Sequence, residues 1–267
     1  MMRKILFASL IIGIAFQIAC YKVPVSGRRQ LNLLPESTMM NLSLTNYRDF
    51  LKKNNALPTS DVNVQLVRKV GDKLVSAINK FLTQKNQTKR IKDFKWEFNV
   101  VNDNVINAWC MPGGKVLVYT GLIPVSQDEE GLAVVMGHEI AHAIARHGNE
   151  RMSQQLALQL GGIGLAVALS QKPQEVQNIF LASYGVGSTL GSLKYSRVHE
   201  SEADKMGVIF MAMAGYNPEK SIGFWERMKQ ASGGGKLPEF LSTHPSDETR
   251  IKDLRAFMPQ ALKYYKK

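Results

Sequence analysis

Only two cysteines, Cys20 and Cys110, occur in the 267 residues, so no disulfide framework can hold this fold together. Stability must come from an apolar core, and with 45% hydrophobic and 21% charged residues the chain has the material for one. Long apolar runs are also missing. The two most hydrophobic stretches, residues 5–16 and 156–169, are too short to cross a bilayer comfortably, which argues against an integral membrane protein. There is no internal repeat and no low-complexity tract. Lysines are spread along the chain without a nucleic-acid-binding motif, so the formal charge of +12 does not indicate a nucleic-acid partner. It suits an ordinary basic surface, or contact with anionic lipid or acidic client proteins. Histidine is scarce at five residues, and that makes the placement of each one informative.

The first twenty residues differ from the rest. Arg3 and Lys4 precede the apolar run Ile5 to Phe16, and Ile18-Ala19-Cys20 follows, the charged, hydrophobic, small-residue order of a secretory signal. A cysteine after a small residue at that point resembles a bacterial lipobox, although Gln17 stands where leucine is usual. The expectation is a signal peptide over 1–19 and a lipid anchor on Cys20. Tyr21 is not the aspartate associated with inner-membrane retention, which favours the periplasmic face of an outer membrane. Residues 20–35, with Gly27-Arg28-Arg29-Gln30, then read as a tether that lets the domain stand off the membrane. The domain itself is expected over 36–260, followed by a basic tail over 261–267. Without Arg3 and Lys4 the net charge falls by two, to about +10. If Cys20 carries lipid, Cys110 has no partner and reads as a lone buried thiol, with a zinc-ligand role as the alternative.

Three of the five histidines fall within ten residues. His138-Glu139-Ile140-Ala141-His142 puts two imidazoles four residues apart with a carboxylate beside the first. On a helix the two rings share one face, separated by a rise of about 6 Å and a rotation of about 40°, so each can offer a nitrogen to one ion. Glu139 turns away by roughly 100° and borders such an ion without binding it, the position of a general base. A helix is what the flanks support. Between Gln127 and His147 there is no proline, Asp128, Glu129 and Glu130 crowd the first turn, and Arg146 and His147 close the last, with Gly148 as a stop signal. Leu132, Val135, Met136, Ala143 and Ile144 form an apolar stripe at helical spacing.

The rest of the chain reads as α+β and mostly helical. Helices are expected near 36–53 and 61–82, the second capped by Ser60-Asp61. Phe94, Trp96, Phe98 and Val100 alternate with polar residues as in a half-buried strand, and 115–120 reads as another strand. Between them Pro112-Gly113-Gly114 forces a turn or an edge. After Gly121 everything looks helical, with further helices near 175–190, 194–214, 218–231 and 246–257. The glycine-rich apolar stretch 156–169 reads as a core helix or a flap over a cleft, and Gly233-Gly234-Gly235 as a flexible joint.

A catalytic zinc needs a third protein ligand and one open place. Glu200 is the candidate, because Glu200-Ser-Glu202-Ala-Asp204 on a helix sets Glu200 and Asp204 one turn apart on one face. Asp204 could then take the free N–H of a ligating histidine. Glu202 points about 160° away from Glu200, towards solvent or a structural partner. Alone, such an acidic cluster is more often a solvated face.

Taken together, His-Glu-x-x-His, the later Glu-x-x-x-Asp, Asn107-Ala and Pro112-Gly-Gly before them, and Ser242-Thr-His244-Pro245 with Arg250 after them resemble the HtpX/BepA/CAAX-prenyl-endopeptidase family of zinc metallopeptidases over about residues 20–257. The likeness is strongest to the bacterial BepA- and LoiP-like lipoprotein branch, and no tetratricopeptide-type repeat follows residue 257. The resemblance implies a zincin-like domain with a small edge sheet beside the active-site helix. It implies one zinc ion per chain on His138, His142 and Glu200, Glu139 as base and Asp204 in support. His244, by sequence a loop histidine, either steadies the transition state or closes onto the zinc as an inhibitory fourth ligand. Arg197 and Arg250 would make structural salt bridges near the cleft. The strand before the active-site helix, with Asn107, Ala108, Gly113 and Gly114, would pair with an extended substrate. The function implied is an endopeptidase of unfolded or misassembled exported proteins, with outer-membrane assembly machinery as a further partner. The rival is a latent or non-proteolytic holding factor whose zinc site His244 closes.

Overall fold

The computed structural model describes residues 20–160, 173–184, 195–231, 238–244 and 248–266. The elements are β1 (Cys20–Lys22), β2 (Arg29–Leu31), α1 (Glu36–Lys53), α2 (Val62–Gln84), β3 (Glu97–Val101), β4 (Ala108–Met111), β5 (Lys115–Tyr119), α3 (Leu122–Ser126), α4 (Glu129–Ala145), α5 (His147–Leu160), α6 (Pro173–Ser183), α7 (Arg197–Met213), α8 (Lys220–Ala231), α9 (Glu239–Thr243) and α10 (Glu248–Ala261). The fold is mostly helical with a small sheet beside α4, as expected, and a second, two-stranded sheet formed by β1 and β2. The flap stretch beyond Leu160 and the triple-glycine joint lie outside the described residues.

The larger sheet has the order β3-β5-β4, with β3 parallel and β4 antiparallel to β5. It is covered on both faces. Val116 and Val118 of β5, Ala108 and Cys110 of β4 and Phe98 and Val100 of β3 join a core shared with α2, α4, α7, α8 and α10. Leu117, Tyr119, Trp109, Met111 and Val101 pack on the other side with Met39 and Tyr47 of α1 and Phe180 of α6. The strand directly before the active-site helix, β5, is therefore central, and its backbone is paired on both sides. The edges belong to β3 and β4, and the end of β3 is covered by residues 55–57, where Leu57 N–H donates to Val100 O. At the β4–β5 turn Gly114 N–H donates to Met111 O across Pro112 and Gly113, and both glycines have φ of +80°. That turn needs glycine. The carbonyls of Gly113 and Gly114 accept from Lys95 and Glu97, so this end of the expected substrate strand is already engaged.

Residues 20–35 are not a free tether. β1 and β2 form an antiparallel hairpin against the helices: Gln30 donates to Ala145 O, Leu33 N–H donates to Ser153 Oγ, and Val23 and Leu34 are buried. The expected tail also packs, because α10 continues through Ala261 and the Tyr264 ring meets Phe81 at 6.2 Å.

Helix α4 is the axis of the domain. Asp128 caps it by accepting from Gly131 N–H at 2.8 Å. Glu129 accepts from Tyr216 and pairs with Lys69 of α2, while Glu130 accepts from Asn217 N–H before α8. Its end departs from expectation: Arg146 itself adopts the left-handed conformation (φ 63°), and α5 starts at once from His147. Gly148 is not a stop but a contact, since a Cβ there would lie 2.1 Å from the Tyr184 ring.

Candidate metal centre

The histidines are brought to the carboxylates by a close helix crossing. A Cβ on Gly207 of α7 would stand 3.0 Å from the His138 backbone nitrogen, so the missing side chain is what lets α4 and α7 touch. Glu200 and Asp204 sit on the same helix face and meet the imidazoles head on. His138 Nε2 lies 3.0 Å from His142 Nε2 and 3.5 Å from Glu200 Oε2, and His142 Nε2 lies 3.3 Å from Glu200 Oε1. His244 joins them, its Nδ1 at 3.0 Å from Glu200 Oε1 and 3.3 Å from His138 Nε2. Among the described residues these four form a group whose donor atoms all lie within 4.8 Å of one another, and all four are buried.

The spacing suits a cation. Four N and O ligands at about 2.0–2.1 Å from a tetrahedral ion stand about 3.3 Å apart, which is the separation seen here. Charge points the same way. Glu139, Glu200 and Asp204 are three buried carboxylates, and the buried guanidinium of Arg250 pairs with Glu200 and Asp204, which leaves two negative charges for a divalent cation to balance. Glu139 Oε1 is buried without a hydrogen bond, 3.6 Å from His244 Nε2. Burial raises its pKa, against the opposing pull of His244 and His138. Cys110 is buried on β4 with its thiol pKa pushed up by burial, and it is not one of the donors.

Each imidazole is held from behind. His138 Nδ1 lies 2.9 Å from Asp204 Oδ1, and Arg250 grips the same carboxylate through Nε and Nη2, both at 2.7 Å. Arg250 also lies 3.0 Å from Glu200 Oε2 and stacks 3.4 Å above the Trp225 ring. Burial opposes the ionised form of Asp204, yet the facing guanidinium keeps its pKa below the usual range. His142 turns its Nδ1 to His147 Nδ1 at 3.0 Å, and His147 Nε2 reaches Glu202 Oε2 at 3.0 Å. Glu202 is therefore buried against a structural partner and does not face solvent. Tyr195 lays its ring 4.0 Å from that of His142 and 4.9 Å from that of His244.

His244 caps α9, stacked on Phe240 at 4.5 Å, and the Phe240 N–H donates to Ile106 O next to β4. Asn107 donates to Glu239 Oε1, so this end of the edge strand carries the short helix that holds His244. Arg197 is exposed at the start of α7, where it lines a cavity of about 50 Å³ with Glu200, Asp204 and Arg250. Sequence reasoning missed His147, His199, Tyr195, Arg28 and Glu150. His199 Nε2 lies 3.0 Å from Glu150 Oε2, and Arg28 pairs with both Glu150 and Glu202. These ion pairs bind the hairpin to α5 and α7. Burial opposes ionisation of Glu150, but the hydrogen bonds and charges of Arg28 and His199 together outweigh it and the pKa falls to about 2. A carboxyl depressed from 4.5 in this way contributes stability above pH 4.5 and loses it as pH falls towards 2. The denaturation midpoint should drop across that window, and Glu150→Gln should flatten the drop; a profile unchanged by the substitution would show that the ion pair adds no stability.

A family model for peptidase family M48 matches residues 72–258. The mitochondrial metalloendopeptidase OMA1 of Schizosaccharomyces pombe is 32% identical over 242 residues, covering 90% of this chain and 66% of that protein. The human metalloendopeptidase OMA1, mitochondrial, is 33% identical over 250 residues, covering 90% of this chain and 46% of its own length. The β-barrel assembly-enhancing protease of Escherichia coli is 30% identical over 195 residues, 72% of this chain and 38% of that protein. The chain thus spans from about a third to two thirds of the length of these relatives.

Proposed function

The chain belongs to peptidase family M48, and from that premise we propose a zinc-dependent endopeptidase of exported proteins, held closed at rest by His244. One observation carries the reading: four buried donors, His138, His142, Glu200 and His244, surround a cation-sized place beside the unpartnered carboxylate oxygen of Glu139. His138, His142 and Glu200 would hold the metal. Zinc there would supply Lewis acidity, lowering the pKa of a water towards about 7 and polarising the scissile carbonyl. Glu139 takes the proton as the water attacks and passes it to the leaving amine. Asp204 and Arg250 fix the His138 ring, and the outer edge of β4 offers main-chain groups to an extended peptide, which asks little of the substrate's side chains.

The setting is read from the sequence and one group of relatives. The charged, apolar and small-residue order of 1–19 with Cys20 supports export and a lipid anchor. The β-barrel assembly-enhancing proteases among the relatives support the periplasmic face of an outer membrane and misassembled barrel proteins as substrates. Among the described residues no helix is long and apolar enough to cross a membrane. Cleavage of a purified unfolded outer-membrane protein by wild type and Glu139→Gln, with bound zinc measured in both, tests the reading. Client binding without cleavage in any variant would favour a holding factor.

Latency rests on a separate observation. His244 Nδ1 occupies the place that a water or substrate oxygen needs, and the helix before it is tied to Ile106 at the edge strand. His244→Ala should raise kcat/KM on a short fluorogenic peptide several-fold. A fall instead would assign His244 to the transition state.

A further inference from the structure

The two imidazole ligands are braced by parallel arrangements that end in an arginine, but only one of those arginines belongs to the active-site motifs. For His138 the chain of contacts is Asp204 and then Arg250. For His142 it is His147, then Glu202, then Arg28, a residue of the N-terminal hairpin that lies far from the site in sequence. We propose that Arg28 is a positioning residue for zinc binding, which holds His142 in its metal-binding tautomer through Glu202 and His147. This rests on the zinc site proposed above.

The hydrogen-bond directions allow one consistent assignment. If His142 offers Nε2 to the metal as a neutral ring, its proton is on Nδ1 and donates to His147 Nδ1, 3.0 Å away. His147 must then accept at Nδ1 and carry its own proton on Nε2, where it donates to Glu202 Oε2. Rotating Glu202 away would free His147 Nε2 and remove the reason for that tautomer. What keeps Glu202 in place is Arg28, whose Nε and Nη2 grip its two oxygens at 3.0 and 2.9 Å, with Ser26 Oγ on Oε1.

The guanidinium is fully used. Its other edge grips Glu150 through Nη1 and Nη2, both at 2.7 Å, and Nη1 also reaches the Arg29 carbonyl at 3.4 Å. Glu150 in turn accepts from His199, the residue before Glu200. Two forks at fixed angles are something arginine supplies and lysine cannot. The hairpin that opens at Cys20 is therefore built into the back of the metal site and is more than a spacer.

The test compares wild type, Arg28→Ala, Arg28→Lys, His147→Ala and the Arg28→Ala/His147→Ala double variant, with Arg29→Ala as a control on an exposed neighbour. Zinc affinity is read by competition with a chromogenic chelator, and the His142 tautomer by the long-range proton–nitrogen NMR couplings of the imidazole. His147→Ala should weaken zinc binding about 10–100-fold, as removal of an outer contact of a ligating histidine does, and Arg28→Ala should weaken it measurably but by no more than that. Arg28→Lys should recover only part, and the double variant should bind no worse than His147→Ala. Unchanged zinc affinity and His142 tautomer in folded Arg28→Ala would overturn the proposal, even if the metal-free protein melts earlier. Should Arg28→Ala not fold, Arg28→Lys decides by the same two readouts. Failure of the wild type to bind zinc would instead sink the functional reading itself.

Discussion

Glu139→Gln should keep its zinc and lose peptide cleavage by about 10²–10⁴ in kcat, the usual share of a general acid–base group. At 1.36 kcal/mol per factor of ten, that is about 3–5 kcal/mol of transition-state stabilisation. The change is nearly isosteric, and no hydrogen bond at Oε1 is lost, so the fold should tolerate it. What disappears is the capacity to accept a proton. The site also retains one more negative charge on Glu139 than on Gln, so zinc should not bind more tightly to the variant. Measuring kcat in the His244→Ala background separates the loss of the base from closure of the site, and zinc content by elemental analysis separates it from loss of metal. Equal turnover with and without the carboxylate would remove Glu139 from the mechanism and leave the proton to another group.

Helix α4 was legible because its signals are local: acids in the first turn, an apolar stripe and two histidines one turn apart. The carboxylates of α7 were legible for the same reason, since Glu200 and Asp204 are a helix turn apart. What escaped depends on distance in sequence or on a backbone reversal. Arg28 looked like the polar middle of a tether, because its partners Glu150 and Glu202 lie 122 and 174 residues away. His147 looked like a cation at a helix end, and five residues after His142 on a continuous helix it would point about 140° from it. The left-handed Arg146 turns the chain so that the rings meet. Strand β5 was visible as a strand, but not as the central one. Both of its faces are buried, so no alternation of polar residues reported which side faced what. A scarcity argument could have found His147: with three of five histidines inside ten residues, each deserved a role near the metal.

Arg250→Met should destabilise the metal-free protein by about 3–5 kcal/mol, the cost of breaking a buried ion pair and leaving carboxylates uncompensated. The side chain is only 4% exposed, and Asp204 and Glu200 are its partners at 2.7 and 3.0 Å. Burial works against a charged arginine, but Asp204 and Glu200 outweigh it and raise its pKa, so the guanidinium stays charged throughout. Against a total stability of about 5–15 kcal/mol for a typical domain, this loss is a large fraction. Two further outcomes separate charge from packing. Adding Asp204→Asn to Arg250→Met should recover part of the loss, because it removes one of the stranded charges; a packing defect over Trp225 would not respond. Zinc should also stabilise Arg250→Met more than wild type, since the divalent cation then becomes the sole counter-charge in contact with Glu200. A loss below about 1 kcal/mol in denaturant would mean that water reaches these carboxylates, since pairs of that strength are the exposed kind. The charge argument for a divalent cation would fall with it, because solvated carboxylates need no metal to balance them.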